Sequence, residues 1–190
     1  TLSGAATLAD ADFANKTTVE ALTADDATNS LTLGTKASDA GLATVTGGSG
    51  IDTVNAASFD TALEINTGSG ADVITTQSGT LDLNVDAGAG ADSITVTSSE
   101  FDADDTVAGG DGTDTVTLSG AATLADADFA NKTTVEALTA ANATNSLTLG
   151  TKASDAGFTT VTGGTGDDTI NASSFDTALE IDAGAGDDVI

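Results

Sequence analysis

Six aspartates share one setting. Asp52, Asp72, Asp92, Asp114, Asp168 and Asp188 each hold the sixth position of a glycine-rich octapeptide: GGSGIDTV (47–54), TGSGADVI (67–74), AGAGADSI (87–94), GGDGTDTV (109–116), GGTGDDTI (163–170) and AGAGDDVI (183–190). Glycines at positions 1, 2 and 4 permit positive φ, so the turn can aim several carbonyls into one concavity while the aspartate adds a carboxylate. Carbonyl and carboxylate oxygens are hard ligands. Calcium takes six to eight of them, whereas magnesium demands a tighter octahedron and keeps its water. An ion held between two stacked turns would draw oxygens from both.

Other chemistries lack their residues. The chain has no Cys, His, Met, Trp, Tyr or Arg, which removes thiolate sites and most nucleophile and base chemistry. A carboxylate pair could serve a glycosidase, but no acidic pair stands apart from the repeat pattern, and repetition argues against a unique active site. The expectation is a protein that is not an enzyme.

Charge points the same way. The 190 residues carry 30 acidic and 4 basic side chains, a net charge of −26. Such a chain repels itself when compact and repels nucleic acid and anionic membrane surfaces. Multivalent cations are the natural counterweight. With 39% hydrophobic residues and no proline, the pattern predicts a chain that is disordered without metal and folded with it, because metal-binding energy becomes folding energy. No apolar run reaches the ~20 residues of a membrane span, so no membrane insertion is expected.

The elements that must position these turns repeat on two scales. Residues 117–190 copy 1–74 at an offset of 116, with a dozen substitutions, among them Ile51 to Asp167, Ala71 to Asp187 and Asp25-Asp26 to Ala141-Asn142. The second copy stops mid-repeat at Ile190, which reads as a segment of a longer protein. Within the long repeat, turns recur every 20–22 residues, each flanked by short segments of alternating apolar and polar residues such as Leu63-Glu64-Ile65 and Leu179-Glu180-Ile181. Alternation marks strands. Coils this short can stack only in parallel, around a narrow core. The expected fold is all-β: a right-handed parallel β-solenoid (β-roll-like) of about 20-residue coils, with one Gly/Asp calcium turn per coil. Residues 1–190 form one continuous solenoid, with 1–116 as the first unit of five coils and 117–190 as a partial second. In the coil at 23–46, ADDATNSL stands in for the glycine turn. Phe13, Phe59, Phe101, Phe129 and Phe175 fall in the outer loops, where they plug the edge of the core.

GGSGIDTV, GGDGTDTV and GGTGDDTI resemble the RTX repeat G-G-x-G-x-D-x-U-x, which in that family binds calcium in a parallel β-roll. The strands and ADADFAN loops are similar to repeat regions of type I-secreted S-layer and adhesin proteins. The resemblance implies side-chain ligands Asp52, Asp72, Asp92, Asp114, Asp168 and Asp188. It implies carbonyl ligands at positions 1 and 3 of each turn: Gly47 and Ser49, Thr67 and Ser69, Ala87 and Ala89, Gly109 and Asp111, Gly163 and Thr165, Ala183 and Ala185. Several calcium ions would then lie between stacked turns. Family nonapeptides run back to back and put calcium on both edges; here one glycine turn per coil implies calcium on one edge only.

Asp86 and Asp182 precede weakened turns and could compensate. Asp102, Asp104 and Asp105 read as a solvated loop, and Asp25-Asp26 as a doubtful site. The functional expectation is an extracellular, calcium-stabilised structural module of a bacterial surface protein (S-layer, filament or adhesin stalk), exported by type I secretion and associating with itself or with neighbouring repeats. The alternative is a solenoid binding module whose face recognises glycan, ice or another cell-surface partner. Ice binding would want rows of outward threonine, and no T-x-T row is read at the 20-residue period.

Overall fold

The computed structural model describes residues 1–76 and 81–190. Strand alternation drives the architecture. Val45, Ile65, Val85 and Val107 point inward in one column, and Leu31, Val54, Ile74, Ile94, Val116, Leu138 and Val161 in the facing one, each 1% exposed or less. Burying such a side chain contributes about 1.5–3 kcal/mol, so each coil supplies a small share of a long, thin core.

All pairings are parallel. A nine-stranded sheet runs through Thr7–Leu8, Asn29–Thr32, Asp52–Asn55, Val73–Thr75, Ser93–Thr97, Thr115–Ser119, Ala137–Thr139, Thr160–Thr162 and Glu180–Asp182. Across the core lies a six-stranded sheet of Ala21–Thr23, Thr44–Gly48, Glu64–Gly68, Asn84–Gly90, Thr106–Gly112 and Lys132–Thr133. Thr123–Leu124, Ser146–Thr148 and Thr169–Asn171 form a three-stranded sheet that takes over the opposing face for the second part of the chain. This is the expected parallel β-roll, with two short helices added: α1 (Thr35–Asp39) and α2 (Thr151–Ala156).

The register corrects the coil count. Leu22 pairs with Val45 in the six-stranded sheet, and that column continues through Ile65, Val85 and Val107 to Lys132. Its equivalent 116 residues later, Leu138, lies instead in the nine-stranded sheet, between Val116 and Val161. Likewise Leu8 pairs with Leu31 in the nine-stranded sheet, whereas Leu124 pairs with Leu147 in the three-stranded one. From Leu22 the chain makes five full coils to Lys132 and half a coil more to Leu138. One unit is therefore five and a half coils, and the second copy is turned over relative to the first.

The turnover is built at one coil. Between Thr115–Ser119 and Ala137–Thr139 the chain lays down two strands on the opposing face, Thr123–Leu124 and Lys132–Thr133, where other coils have one. Aromatic packing fills this wider coil. Phe129 stands edge-on to Phe101 (centroids 5.4 Å) and to Phe158 (5.5 Å). The Lys132 ammonium donates to the carbonyls of Asp102 (2.6 Å), Asp105 (2.8 Å) and Ala130 (3.0 Å) and sits 4.8 Å from the Phe101 ring centre. Burial pushes this lysine down to about 8, against the pull of Asp105 and its acidic neighbours. Its counterpart Lys16 is exposed.

Phe59, Phe101 and Phe129 are fully buried and Phe13 nearly so, as core plugs should be, while Phe175 is half-buried. Phe158, absent from that expectation, is buried too. The loop at 102–105 is not wholly solvated. Asp105 is 2% exposed, with its two oxygens accepting from the backbone N–H groups of Leu83 and Asp102. The loop's cation is Lys132.

Candidate metal sites

In each stacked turn the aspartate at position 6 reaches back to the preceding coil. The Asn29 N–H donates to Asp52 Oδ1 (2.9 Å), Asp52 N–H to Asp72 Oδ1 (2.7 Å), Asp72 N–H to Asp92 Oδ1 (2.7 Å) and Asp92 N–H to Asp114 Oδ1 (2.8 Å). Asp114 N–H then donates to Glu136 Oε2 (2.8 Å), which ends the ladder. A second ladder starts at the Ala122 N–H, which donates to Asn145 Oδ1 (2.9 Å). It continues from Asn145 N–H to Asp168 Oδ1 (2.7 Å) and from Asp168 N–H to Asp188 Oδ1 (2.9 Å).

One oxygen of each carboxylate is thereby used. The other is stranded: Oδ2 of Asp72, Asp92, Asp114 and Asp168 is buried with no hydrogen-bond partner, in residues no more than 2% exposed. An ionised buried carboxylate oxygen without a partner is costly. Burial pushes Asp92 up to about 6 and raises Asp72 and Asp114 as well, the backbone N–H bonds opposing it only in part and neighbouring acids adding to it. The turns therefore lack positive charge at the points where the ladder stacks.

The carbonyls are close by. A Cβ on Gly47 would meet both Asp52 Oδ2 and the Thr67 carbonyl; on Gly109, Asp114 and the Thr134 carbonyl; on Gly163, Asp168 Oδ2 and the Ala183 carbonyl. So the free aspartate oxygen of one turn and the position-1 carbonyl of the next coil converge. Glycine is needed at positions 2 and 4 for a different reason: a Cβ on Gly88 or Gly90 would overlap the backbone carbonyl of Gly68 or Gly70 beneath it. Among the described residues no three or more Asp or Glu side chains come together as a group that could hold a metal ion.

The protein-family comparison falls on these turns. The family described as RTX calcium-binding nonapeptide repeat (4 copies) matches residues 101–120 and 154–174. The match takes in 41 of the 190 residues and likens these two stretches to RTX calcium-binding repeats. RTX nonapeptide repeats bind Ca²⁺ between turns, so the cation that the stranded oxygens want is calcium. The two matched stretches cover 20 and 21 residues and contain GGDGTDTV and GGTGDDTI. Neither the curated proteins nor the solved structures compared with the chain gives a match.

These two RTX turns lie on opposite edges. The turns at 47–52, 67–72, 87–92 and 109–114 lead from the six-stranded sheet into the nine-stranded one. Those at 163–168 and 183–188 lead out of the nine-stranded sheet towards the three-stranded one, Val189 bridging to Thr169. The expectation of a single calcium edge is thus corrected: the half-coil offset moves the turns from the entry edge to the exit edge.

Of the expected ligand positions, the six aspartates and the position-1 residues Gly47, Thr67, Ala87, Gly109, Gly163 and Ala183 line the stacked gaps. At position 3 the side chains of Ser49, Ser69, Asp111, Thr165 and Ala185 face solvent, and the Ala89 carbonyl accepts the Gly70 N–H (2.7 Å). Asp86 and Asp182 are exposed, and Asp182 Oδ1 accepts the Gly184 N–H of the turn that follows it (3.0 Å). Asp25 and Asp26 instead accept backbone N–H groups, from Gly4 and Asp26 and from Ser49. Glu136, Asn29 and Asn145 complete the ladders and were not singled out. Asparagine carries no charge to attract notice, and its role follows only from its register with aspartate one coil away.

Proposed function

We propose that the chain is a calcium-clamped structural module of an extracellular bacterial surface protein, exported by type I secretion and working as a rigid stalk or lattice element. The observation that carries this reading is the run of buried, unpartnered aspartate oxygens stacked coil over coil. It makes calcium a structural component spread along the molecule. RTX repeats occur in proteins of this secretion type, and a net charge of −26 disfavours the compact state until cations are bound. The coils of the glycine turns would stay loosened where calcium is scarce and close where it is millimolar. Circular dichroism should show a weak β-sheet signal in chelator that grows under calcium titration. Equal β-signal in both conditions would sink the reading.

A specific feature favours a second reading, in which the nine-stranded sheet docks a regular partner surface such as ice. The register aligns Thr75, Thr95, Thr117, Thr139 and Thr162 in one outward column, coil upon coil. This is a single threonine column and not a T-x-T row, because the companion column two residues earlier runs Val73, Ser93, Thr115, Ala137 and Thr160. Asn55 and Asp182 interrupt the threonine column at either end. A thermal hysteresis assay on the calcium-loaded chain tests this reading, and an absence of hysteresis would overturn the ice form of it.

A further inference from the structure

Asn29 and Asn145 occupy the ladder position that aspartate holds elsewhere, in the turns ADDATN (24–29) and AANATN (140–145), which have no glycine. Their Oδ1 atoms behave as aspartate Oδ1 does and accept the N–H of the preceding coil, from Ala6 (3.1 Å) and Ala122 (2.9 Å). That bond fixes which way the amide faces, since a flipped amide would turn its NH₂ towards another donor. The NH₂ group therefore stands where aspartate carries its stranded Oδ2.

The surroundings of that nitrogen are oxygens. Asn145 Nδ2 lies 3.0 Å from the Ala141 carbonyl, 2.6 Å from Ala143, 3.2 Å from Gly163 and 2.9 Å from Asp168 Oδ1. Asn29 Nδ2 repeats the pattern with Asp25 (3.1 Å), Ala27 (2.5 Å) and Asp52 Oδ1 (2.8 Å). In turn positions these are the carbonyls of positions 2 and 4 from one coil, with a carboxylate oxygen and, at Asn145, the position-1 carbonyl from the next. Four oxygens around one amide nitrogen exceed its two hydrogens, which is the arrangement of a cation cage. Asp168, stacked on Asn145, keeps its Oδ2 stranded, and the Oδ2 of Asp52, stacked on Asn29, accepts the Gly48 N–H of its own turn (3.2 Å), so each amide meets only the Oδ1 of the aspartate above it.

We infer that the Asn29 and Asn145 amides fill in advance the cavity that calcium fills elsewhere, so that each ladder opens on a metal-free rung. The inference rests on the calcium reading above and sharpens it: it states which gaps take an ion. Those are the gaps between Asp52 and Asp72, Asp72 and Asp92, Asp92 and Asp114, Asp114 and Glu136, and Asp168 and Asp188. The gap closed by Glu136 lies outside the glycine-turn pattern. It pairs the stranded Asp114 Oδ2 with the Thr134 carbonyl and with a glutamate one coil on.

The test is the number of calcium ions bound per chain at saturation, measured by equilibrium dialysis on the 190-residue chain and on Asn29→Asp, Asn145→Asp and Asn145→Ala. Each aspartate variant exchanges the amide donor for a carboxylate oxygen and should bind one ion more than the parent. The alanine variant should bind no more than the parent. A parent that binds calcium beside aspartate variants with an unchanged count overturns the inference and leaves the calcium reading standing. An aspartate variant that stays unfolded in saturating calcium overturns it equally, because the added ion should restore the rung. A parent that binds no calcium overturns both.

Discussion

The 23-residue coils around Asn29 and Asn145 and the 20- to 22-residue coils from Gly47 to Gly112 share one core and differ at their edges. In the longer coils, hydrogen bonds from within the protein satisfy the edge. The asparagine amide holds the turn, and Asp10 holds α1, accepting from the backbone N–H groups of Gly34, Lys36 and Ala37 with the Lys36 ammonium 3.5 Å away. Burial opposes ionisation of Asp10, but those N–H groups and Lys36 prevail and hold its carboxyl below the ordinary range. At the start of α2 the Asp126 carboxylate likewise accepts from the backbone N–H groups of Gly150, Lys152 and Ala153. In the shorter coils the edge stays unsatisfied until a cation arrives. Stability is therefore unevenly distributed along a uniform-looking solenoid: one kind of coil carries its own electrostatic closure and the other obtains it from solution.

The sharpest way to break this comparison is segment-resolved hydrogen exchange. Moving from saturating calcium to chelator should accelerate exchange most in residues 47–112 and least in 21–46 and 137–162. Ligand linkage of about 4 kcal/mol per site at a thousandfold excess over Kd makes the former effect large. Acceleration that is uniform along the chain would erase the distinction between the two kinds of coil.

Asp92 offers a test of sign. Its carboxyl titrates at about 6 in the metal-free fold, above its ordinary value. The folded state then binds more protons than the unfolded one between roughly pH 4 and 6, so metal-free stability is full below that window and is lost as pH rises through it. Asp72 and Asp114 shift in the same direction. With calcium the order inverts, because the ligands must be deprotonated. Asp92→Asn should therefore weaken the loaded protein by about 1–3 kcal/mol and leave the chelated protein at neutral pH unchanged or more stable. Thermal melts at pH 4 and pH 7, with and without calcium, would read this. Loss of stability in both metal states would show Asp92 to be a plain structural residue.

The smallest effect is expected at Asp126. Its replacement by alanine removes the carboxylate that accepts the backbone N–H groups at the start of α2, costing about 1–2 kcal/mol on the scale of helix caps. The loss should be the same with calcium or chelator. A loss confined to the calcium form would mean that the helix coil is also metal-dependent.

Much of this was legible in the residues. The Gly-x-Asp spacing placed the turns, alternation placed the strands, and the aspartates that line the gaps are the ones that the spacing named. The half-coil offset was harder to see, because 116 residues divide almost as well into five coils as into five and a half. One signal was present: Gly109 and Gly163 are 54 residues apart, close to two and a half coils. Phe158 was hidden by substitution, since it replaces Leu42 of the first copy and has no aspartate beside it, unlike the phenylalanines of the other loops. The asparagine rungs needed three-dimensional register, for composition alone makes Asn29 and Asn145 ordinary turn residues.

An odd number of half coils gives the repeat a parity. With coils ~4.8 Å apart, a unit advances the solenoid by roughly 26 Å and rotates it by half a turn, so only a pair of units, eleven coils, restores the original facing. Inserting or deleting one unit therefore turns over everything that follows it, exchanging which side of the molecule each surface residue occupies. Inserting or deleting two changes only the length.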